Sequence, residues 1–275
     1  MTAPTVAGGG SSPGIDLRWL RWIAVLTAKV LYPIVVIGGV WWLVAEAEVL
    51  TPLALPHPLD VFAEGRALTE TGRLQRETLT TVTRILNAFG LAVLVGVPLG
   101  LLMGRVAIVR SAFRPVVAFL FPTPKTALYP AMLILFGLGG ASKVALGFSL
   151  ALFQILLPTA AAASQIKPQL VWSAQSLGTS RIRSLQRVVL PAALPGILTG
   201  ARIGLVGALI GVFIGELIAG SDGLGQLMTR SRNMLETETV YVVMITVAAV
   251  GAIFDQLLLA VRRRLLSWSP EEVGR

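Results

Sequence analysis

Hydroxyl and guanidinium side chains crowd one stretch of this sequence, Ser173–Ile197, which reads SAQSLGTSRIRSLQRVVLPAALPGI and holds Arg181, Arg183 and Arg187 but no acid. A serine or threonine becomes a nucleophile only beside a base that takes its proton. No such base is at hand: His57 is the sole histidine, cysteine is absent, and no Asp or Glu occurs between Glu77 and Glu216. These absences exclude a thiol nucleophile, a disulfide framework and a His/Cys metal cluster. They also remove paired-carboxylate catalysis from the central half of the chain. A phosphate cradle of the form G-x4-G-K-[ST] is missing too, since GLGGASK at 137–143 lacks the spacing. What remains in Ser173–Ile197 is the chemistry of docking, with apolar residues for burial and arginines for register.

The elements that would position these groups follow from spacing. Pro168 suits the first turn of a helix, and Leu170, Ala174 and Leu177 then recur at four and three residues as an apolar stripe. Gly178 interrupts, and Thr179 and Ser180 can cap a new start. A second stripe runs through Ile182, Leu185 and Val189, with Arg183 and Arg187 on another face, and Leu190-Pro191 and Leu194-Pro195 are expected to end it. Two short amphipathic helices meeting at a glycine fit either an anionic lipid surface or a groove on a soluble partner. Physics alone leaves both open.

The rest of the chain is mostly oil. Its 275 residues are 55% hydrophobic and 13% charged, with mean hydropathy +0.78, whereas soluble domains carry about 25% charged residues. Net charge is +9, but the basic residues form no continuous face, so nucleic acid is not an expected partner. Residues 1–22 read as a disordered tail rich in Gly, Ser, Thr and Pro at its start, and 266–275 as a second tail. Between them, 23–265 forms one domain. A span needs roughly 20 apolar residues, and six windows qualify: 31–50, 84–104, 115–137, 143–163, 198–220 and 239–261. The expected fold is therefore an all-α integral membrane protein with six transmembrane helices and a polar loop, about 164–197, between spans 4 and 5. A further helix is expected in the outer segment from Thr51 to about Thr83.

Flanking cations set the orientation. With the N-terminus inside, the inner segments hold fourteen: Arg18, Arg21, Lys29, Arg105, Arg110, Arg114, Lys167, Arg181, Arg183, Arg187, Arg262, Arg263, Arg264 and Arg275. The outer ones hold five: Arg66, Arg73, Arg76, Arg230 and Arg232. Both termini and the polar loop are thus expected in the cytoplasm.

Charges inside or beside the windows need an account, because one at mid-bilayer costs about 2.5–3.5 kcal/mol on insertion scales. Arg84, Lys143, Arg202 and Glu216 are expected to snorkel near the interfaces. Asp255 is expected to pair with a basic residue of its bundle. Lys125, in FPTPKTALYP, lies deeper, where Pro122, Pro124 and Pro130 distort the helix and free carbonyls. Either Lys125 lines a solute pathway with Pro124 and Tyr129, or it satisfies those carbonyls or pairs with Asp255. Two runs of GxxxG steps, Gly96-Gly100-Gly104 and Gly207-Gly211-Gly215, suit close helix packing within a subunit or between subunits.

The polar loop resembles the permease subunits of binding-protein-dependent ABC importers, whose pattern is EAA-x3-G-x9-I-x-L-P. Here it reads Trp172-Ser173-Ala174, then Gly178, then Val188-Val189-Leu190-Pro191, with both gaps at the right length. LPHPLDV, ETLTTVTRILNAFGLAVLVGVPLGLLMG, PTPKTALYPAMLILFGLGGASK and ILTGARIGLVGALIGVFIGELIAGSDGLGQLM resemble the sulfonate, taurine and nitrate branch. The resemblance implies a loop that docks into a cytoplasmic ATPase through Trp172, Ser173, Ala174, Leu177, Gly178, Ile182, Leu185, Leu190 and Pro191. Trp172 replaces the motif's acid. It further implies a homodimeric pore in a bacterial inner membrane, an extracytoplasmic binding protein facing His57, and no cofactor on this chain, with ATP and Mg on the partner ATPase. Two other classes would need groups of a different kind. An ion-driven secondary transporter needs intramembrane carboxylates or ion sites in broken helices, and a membrane enzyme needs the catalytic groups this chain lacks.

Overall fold

The computed structural model describes Tyr32 and residues 35–266. Nearly all of it is helical, with no strand among the described residues: α1 (Val35–Glu46), then α2 (Pro58–Glu70), α3 (Arg73–Arg105), α4 (Ala107–Leu120), a 3-10 turn (Lys125–Leu128), α5 (Tyr129–Phe136), α6 (Gly140–Gln165) and α7 (Pro168–Ser176). After it come α8 (Arg181–Ser184), a π turn (Leu185–Val189), α9 (Leu190–Ala219), α10 (Leu224–Asn233) and α11 (Thr237–Leu265). The chain divides into two compact units between Leu59 and Asp60. In the first, Trp41 Nε1 donates to the Pro56 carbonyl at 3.1 Å, and the His57 ring meets Trp42 edge-on at 4.5 Å.

In the second unit, α3, α6, Ile182–Ala219 and α11 are long and apolar enough to cross a membrane. The window at 115–137 is not one straight helix: α4 and Lys125–Phe136 meet at 85°, because the proline-rich break between them cannot sustain helical hydrogen bonding. The window at 31–50 leaves only the short apolar α1 among described residues, with residues 31, 33 and 34 outside them. The tails expected at 1–22 and 266–275 also lie outside, apart from Leu266. The helix expected between Thr51 and Thr83 is α2 together with the start of α3.

The core joins Ile85, Ala88 and Ala92 of α3, Ala151 and Ile155 of α6, Leu205, Ala208 and Val212 of α9, and Val250 and Phe254 of α11. Small residues let these axes approach. A Cβ on Gly100 would stand 2.8 Å from the Leu156 carbonyl and the Thr159 Cβ, and one on Gly211 would stand 2.6 Å from the Gly147 Cα. Both GxxxG runs therefore pack inside one chain, α3 on α6 and α6 on α9.

Leu190-Pro191 and Leu194-Pro195 do not end the helix, contrary to the expectation. The backbone stays helical from Ile182 to Ala219. Pro191 has no N–H to return to the turn below, and the chain widens there into the π turn, with the Leu190 N–H reaching back to the Leu185 carbonyl. Leu190 and Pro191 open α9 at positions where a missing donor costs little.

Candidate functional site

Three polar regions interrupt the apolar bundle, and their geometry differs. At the α9–α10 turn, Glu216 is fully buried and accepts from Arg84 Nη1 at 2.8 Å, Thr81 Oγ1 at 2.9 Å and the Gly225 N–H at 3.1 Å. Arg84 Nη2 donates to Asp222 Oδ1 at 2.6 Å. Glu77 Oε2 accepts from the Gly223 N–H at 2.7 Å. The Arg84 guanidinium holds the Asp222 carboxyl below the usual carboxylate range. Gly223 has φ +93°, and a Cβ there would collide with the Glu216 carboxylate. Lys143, also fully buried, donates to the Leu138 carbonyl and to the Gly139 carbonyl at 3.0 Å. Arg84, Lys143 and Glu216 therefore do not snorkel: they lie inside the protein, where every charge finds a partner.

Sequence reasoning missed this network. A signal was available, since Glu77 and Glu216, the two acids that bound the acid-free stretch, both close on Gly223–Gly225.

The second region is the bend between α4 and α5. Lys125 Nζ donates to the Phe121 carbonyl and sits 5.6 and 5.0 Å from the Phe121 and Phe153 ring centroids. It does not pair with Asp255, whose carboxylate receives Arg202 at 2.5 and 2.9 Å. A cavity of about 290 Å³ lies here, lined by Phe121, Thr123, Pro124, Lys125, Phe153 and Gln154 among others. Tyr129, grouped with Lys125 from sequence, is fully buried instead. Its hydroxyl donates to the Gly215 carbonyl at 2.9 Å, so it fastens α5 to α9 rather than facing the cavity.

The third region is the polar segment between α6 and α9. Helix α7 ends in a Schellman motif: the Gly178 N–H donates to Gln175 O at 2.9 Å and the Thr179 N–H to Ala174 O at 3.1 Å. The motif requires a left-handed residue, and Gly178 supplies it at φ +80°. The next helix begins with Ser180, whose hydroxyl accepts the Arg183 N–H at 3.4 Å. Trp172, Leu177 and Ile182 are 62, 87 and 72% exposed, and Ser173 is exposed as well. Ala174 and Leu185 are half-buried, with Leu185 packing toward Val189, Ala193 and Ile197. Of the residues picked from sequence, Trp172, Ser173 and Ala174 lie on α7 and Leu177 and Gly178 at its end, while Ile182, Leu185, Leu190 and Pro191 follow one another along the helical run Ile182–Ala219; Trp172, Leu177 and Ile182 are the uncovered apolar groups.

The chain is similar in sequence to known transport permeases. A taurine transport system permease protein of Escherichia coli is 34% identical over 264 residues, 92% of this chain and 95% of that protein. A riboflavin transport system permease protein of Chloroflexus aurantiacus is 31% identical over 214 residues, 78% of this chain and 80% of that protein. A bicarbonate transport system permease protein of Synechococcus elongatus is 26% identical over 280 residues, 97% of this chain and 99% of that protein. Residues 96–267 match the family described as binding-protein-dependent transport system inner membrane component. This span includes the bend at Lys125, the segment around Gly178 and the buried Glu216. The chain belongs to that family, as a permease subunit of an ABC importer.

Proposed function

We propose that the segment around Gly178 is the coupling element, docking into a cytoplasmic ATPase subunit that hydrolyses ATP with Mg. The observation that carries this reading is the uncovered apolar set Trp172, Leu177 and Ile182 on the two helices that meet at Gly178. In a segment outside the lipid such a set calls for a protein cover. Ser173 and Ala174 lie on the same short helix, and Leu185, Leu190 and Pro191 connect it to the long helix that enters the core. Trp172, in place of an acid, contributes apolar area rather than an ion pair. On this reading the chain performs no catalysis and holds no cofactor.

The cation asymmetry supports placing this segment and both termini on the cytoplasmic side, with α9–α10 facing an extracytoplasmic binding protein. The cavity of about 180 Å³ beside Arg73, Arg76 and Arg230 opens at that end. Six spans, counting one through α1, and a homodimer embedded in lipid complete the proposed arrangement. Residues 1–22 and 266–275 would be cytoplasmic tails of a permease domain covering 23–265. The solute is small, of the sulfonate, taurine, nitrate or vitamin-precursor class, and Lys125 and Pro124 wall its path.

Trp172→Ala tests the docking surface. Loss of the ATPase on purification, with the permease still folded in the membrane, is the expected result. Full retention of the ATPase and normal uptake would remove the segment from the coupling role. Uptake that continues without a functional ATPase would favour the ion-driven alternative.

A further inference from the structure

Arg110, near the start of α4, reaches back to the end of α3. Its Nε donates to the Met103 carbonyl at 2.9 Å and its Nη2 to the Gly104 carbonyl at 2.6 Å. Both carbonyls belong to the last turn of α3, which a helix leaves without amides of its own, so the backbone holds this guanidinium in place. A guanidinium carries five N–H groups, and only two are used. Arg114 follows four residues later on the same helix, a spacing at which like charges repel, and both side chains are exposed. Among the described residues neither arginine forms an ion pair. No acid occurs between Glu77 and Glu216, the stretch that includes α4, α6 and α9.

Arg110 also lines a cavity of about 350 Å³ bounded by residues of α3, α4 and α6. The walls change character with depth. Met103 and Leu157 lie inside the apolar windows 84–104 and 143–163, whereas Arg110 and Ser164 come just past the ends of those windows. The cavity therefore straddles the level at which the spans leave the hydrocarbon, with apolar groups on one side and a cation on the other. Along α4, Ile108, Val116 and Phe119 are exposed as well. A soluble anion would answer the arginines and leave these apolar groups bare, and an acyl chain alone would do the reverse. An amphiphile with an anionic head answers both.

We infer that this cavity binds the phosphate head group of an anionic phospholipid. Arg110 takes the phosphate, Arg114 adds charge, and the acyl chains run along the exposed apolar residues of α4. Charge-assisted hydrogen bonds to phosphate are strong ones, so the lipid supplies the counter-ion that the chain itself does not. The inference rests on the reading that this end of the bundle faces the cytoplasm, where basic pockets between spans meet anionic head groups.

Native mass spectrometry of the permease purified with its ATPase in neutral detergent tests the site, with phosphatidylglycerol titrated against phosphatidylcholine. The wild type should bind phosphatidylglycerol about tenfold more tightly, and Arg110→Gln should erase that preference. Because Arg110 also caps α3, a second variant leaves both arginines alone: Ala161→Leu, at an exposed position on the cavity wall, fills the space and should remove most of the preference. Excess inorganic phosphate should leave the lipid bound. Equal affinity for the two lipids in the wild type, or an undiminished preference in Ala161→Leu or in folded Arg110→Gln, would overturn the site. Displacement by phosphate would assign it to a soluble anion and overturn the lipid. Labelling of Ser111→Cys by an impermeant thiol reagent outside intact cells would instead overturn the cytoplasmic placement, with the lipid preference in detergent unchanged.

Discussion

The turn after α9 and the segment between α6 and α9 both lead polar backbone out of apolar helices, yet only the first is finished by its own chain. At the α9–α10 turn, Leu224, Leu227 and Ser231 are buried, Glu216 accepts from Arg84 and Thr81, and Glu77 accepts from the Gly223 N–H. Across the segment at Gly178 the Schellman turn and the Ser180 cap close the helix ends, but Leu177 and Ile182 stand in the open. What differs is apolar cover, and on the proposed reading the uncovered segment is the one that the ATPase covers. Lys125 repeats the contrast for charge: among the described residues it has no carboxylate partner, where Arg84 and Arg202 have one.

This comparison can be broken by substitution at either end. The largest effect is expected from Glu216→Leu, which leaves Arg84 with Asp222 alone and the Thr81 hydroxyl and Gly225 N–H without their acceptor. Removing one partner of a buried pair costs about 3–5 kcal/mol. Thermal unfolding in detergent should show a large loss, or no folded protein. An unchanged melting temperature would show that the network is ornamental.

Gly178→Leu should act at the other end with a different signature. A side chain at φ +80° costs roughly 1–2 kcal/mol, and the strain falls on the helix junction rather than on the bundle core. ATPase co-purification should fall while the permease alone keeps nearly its full melting temperature. A stability loss as large as that of Glu216→Leu would erase the distinction between the two ends.

Ile182→Ser sharpens the comparison further. It leaves the backbone motif intact and removes only exposed apolar area. No measurable change in permease stability is expected, together with a reduced share of ATPase retained. Equal retention would mean that Ile182 is not part of the covered face.

The smallest expected effect is that of pH on Asp222. Its folded carboxyl titrates below its ordinary range because Arg84 donates to it, so its contribution is present above the unfolded value. That contribution is lost as pH falls through the lower folded value, below about pH 4. Because the carboxyl is half-exposed, the wild type and Asp222→Asn should differ only slightly at pH 7 and converge under acid. A gap that widens below pH 4 would contradict the assigned direction.

Much of this was legible from residue types. Apolar runs located the long helices, and Gly178 with its flanking stripes located the helix junction, because glycine and hydroxyl caps are local signals. Long-range pairing was not. Glu216 meets Arg84 from 132 residues away, and no periodicity reports such a contact, which is why both were expected to snorkel separately. Tyr129 was placed beside Lys125 by sequence proximity, but the 3-10 turn between them carries its hydroxyl to Gly215 instead. The Leu-Pro pairs misled for a local reason: a π turn lets a helix tolerate a missing donor that would otherwise stop it.

The most direct measurement is site-specific cross-linking from the two ends in the assembled, transporting complex. Leu177→Cys and Ser221→Cys, each the only cysteine in the permease, carry a thiol-linked photoreactive group. Leu177→Cys should yield an adduct with the ATPase subunit, and Ser221→Cys should yield none. The account would be contradicted by no ATPase adduct from Leu177→Cys in an active complex, or by an equal yield from Ser221→Cys.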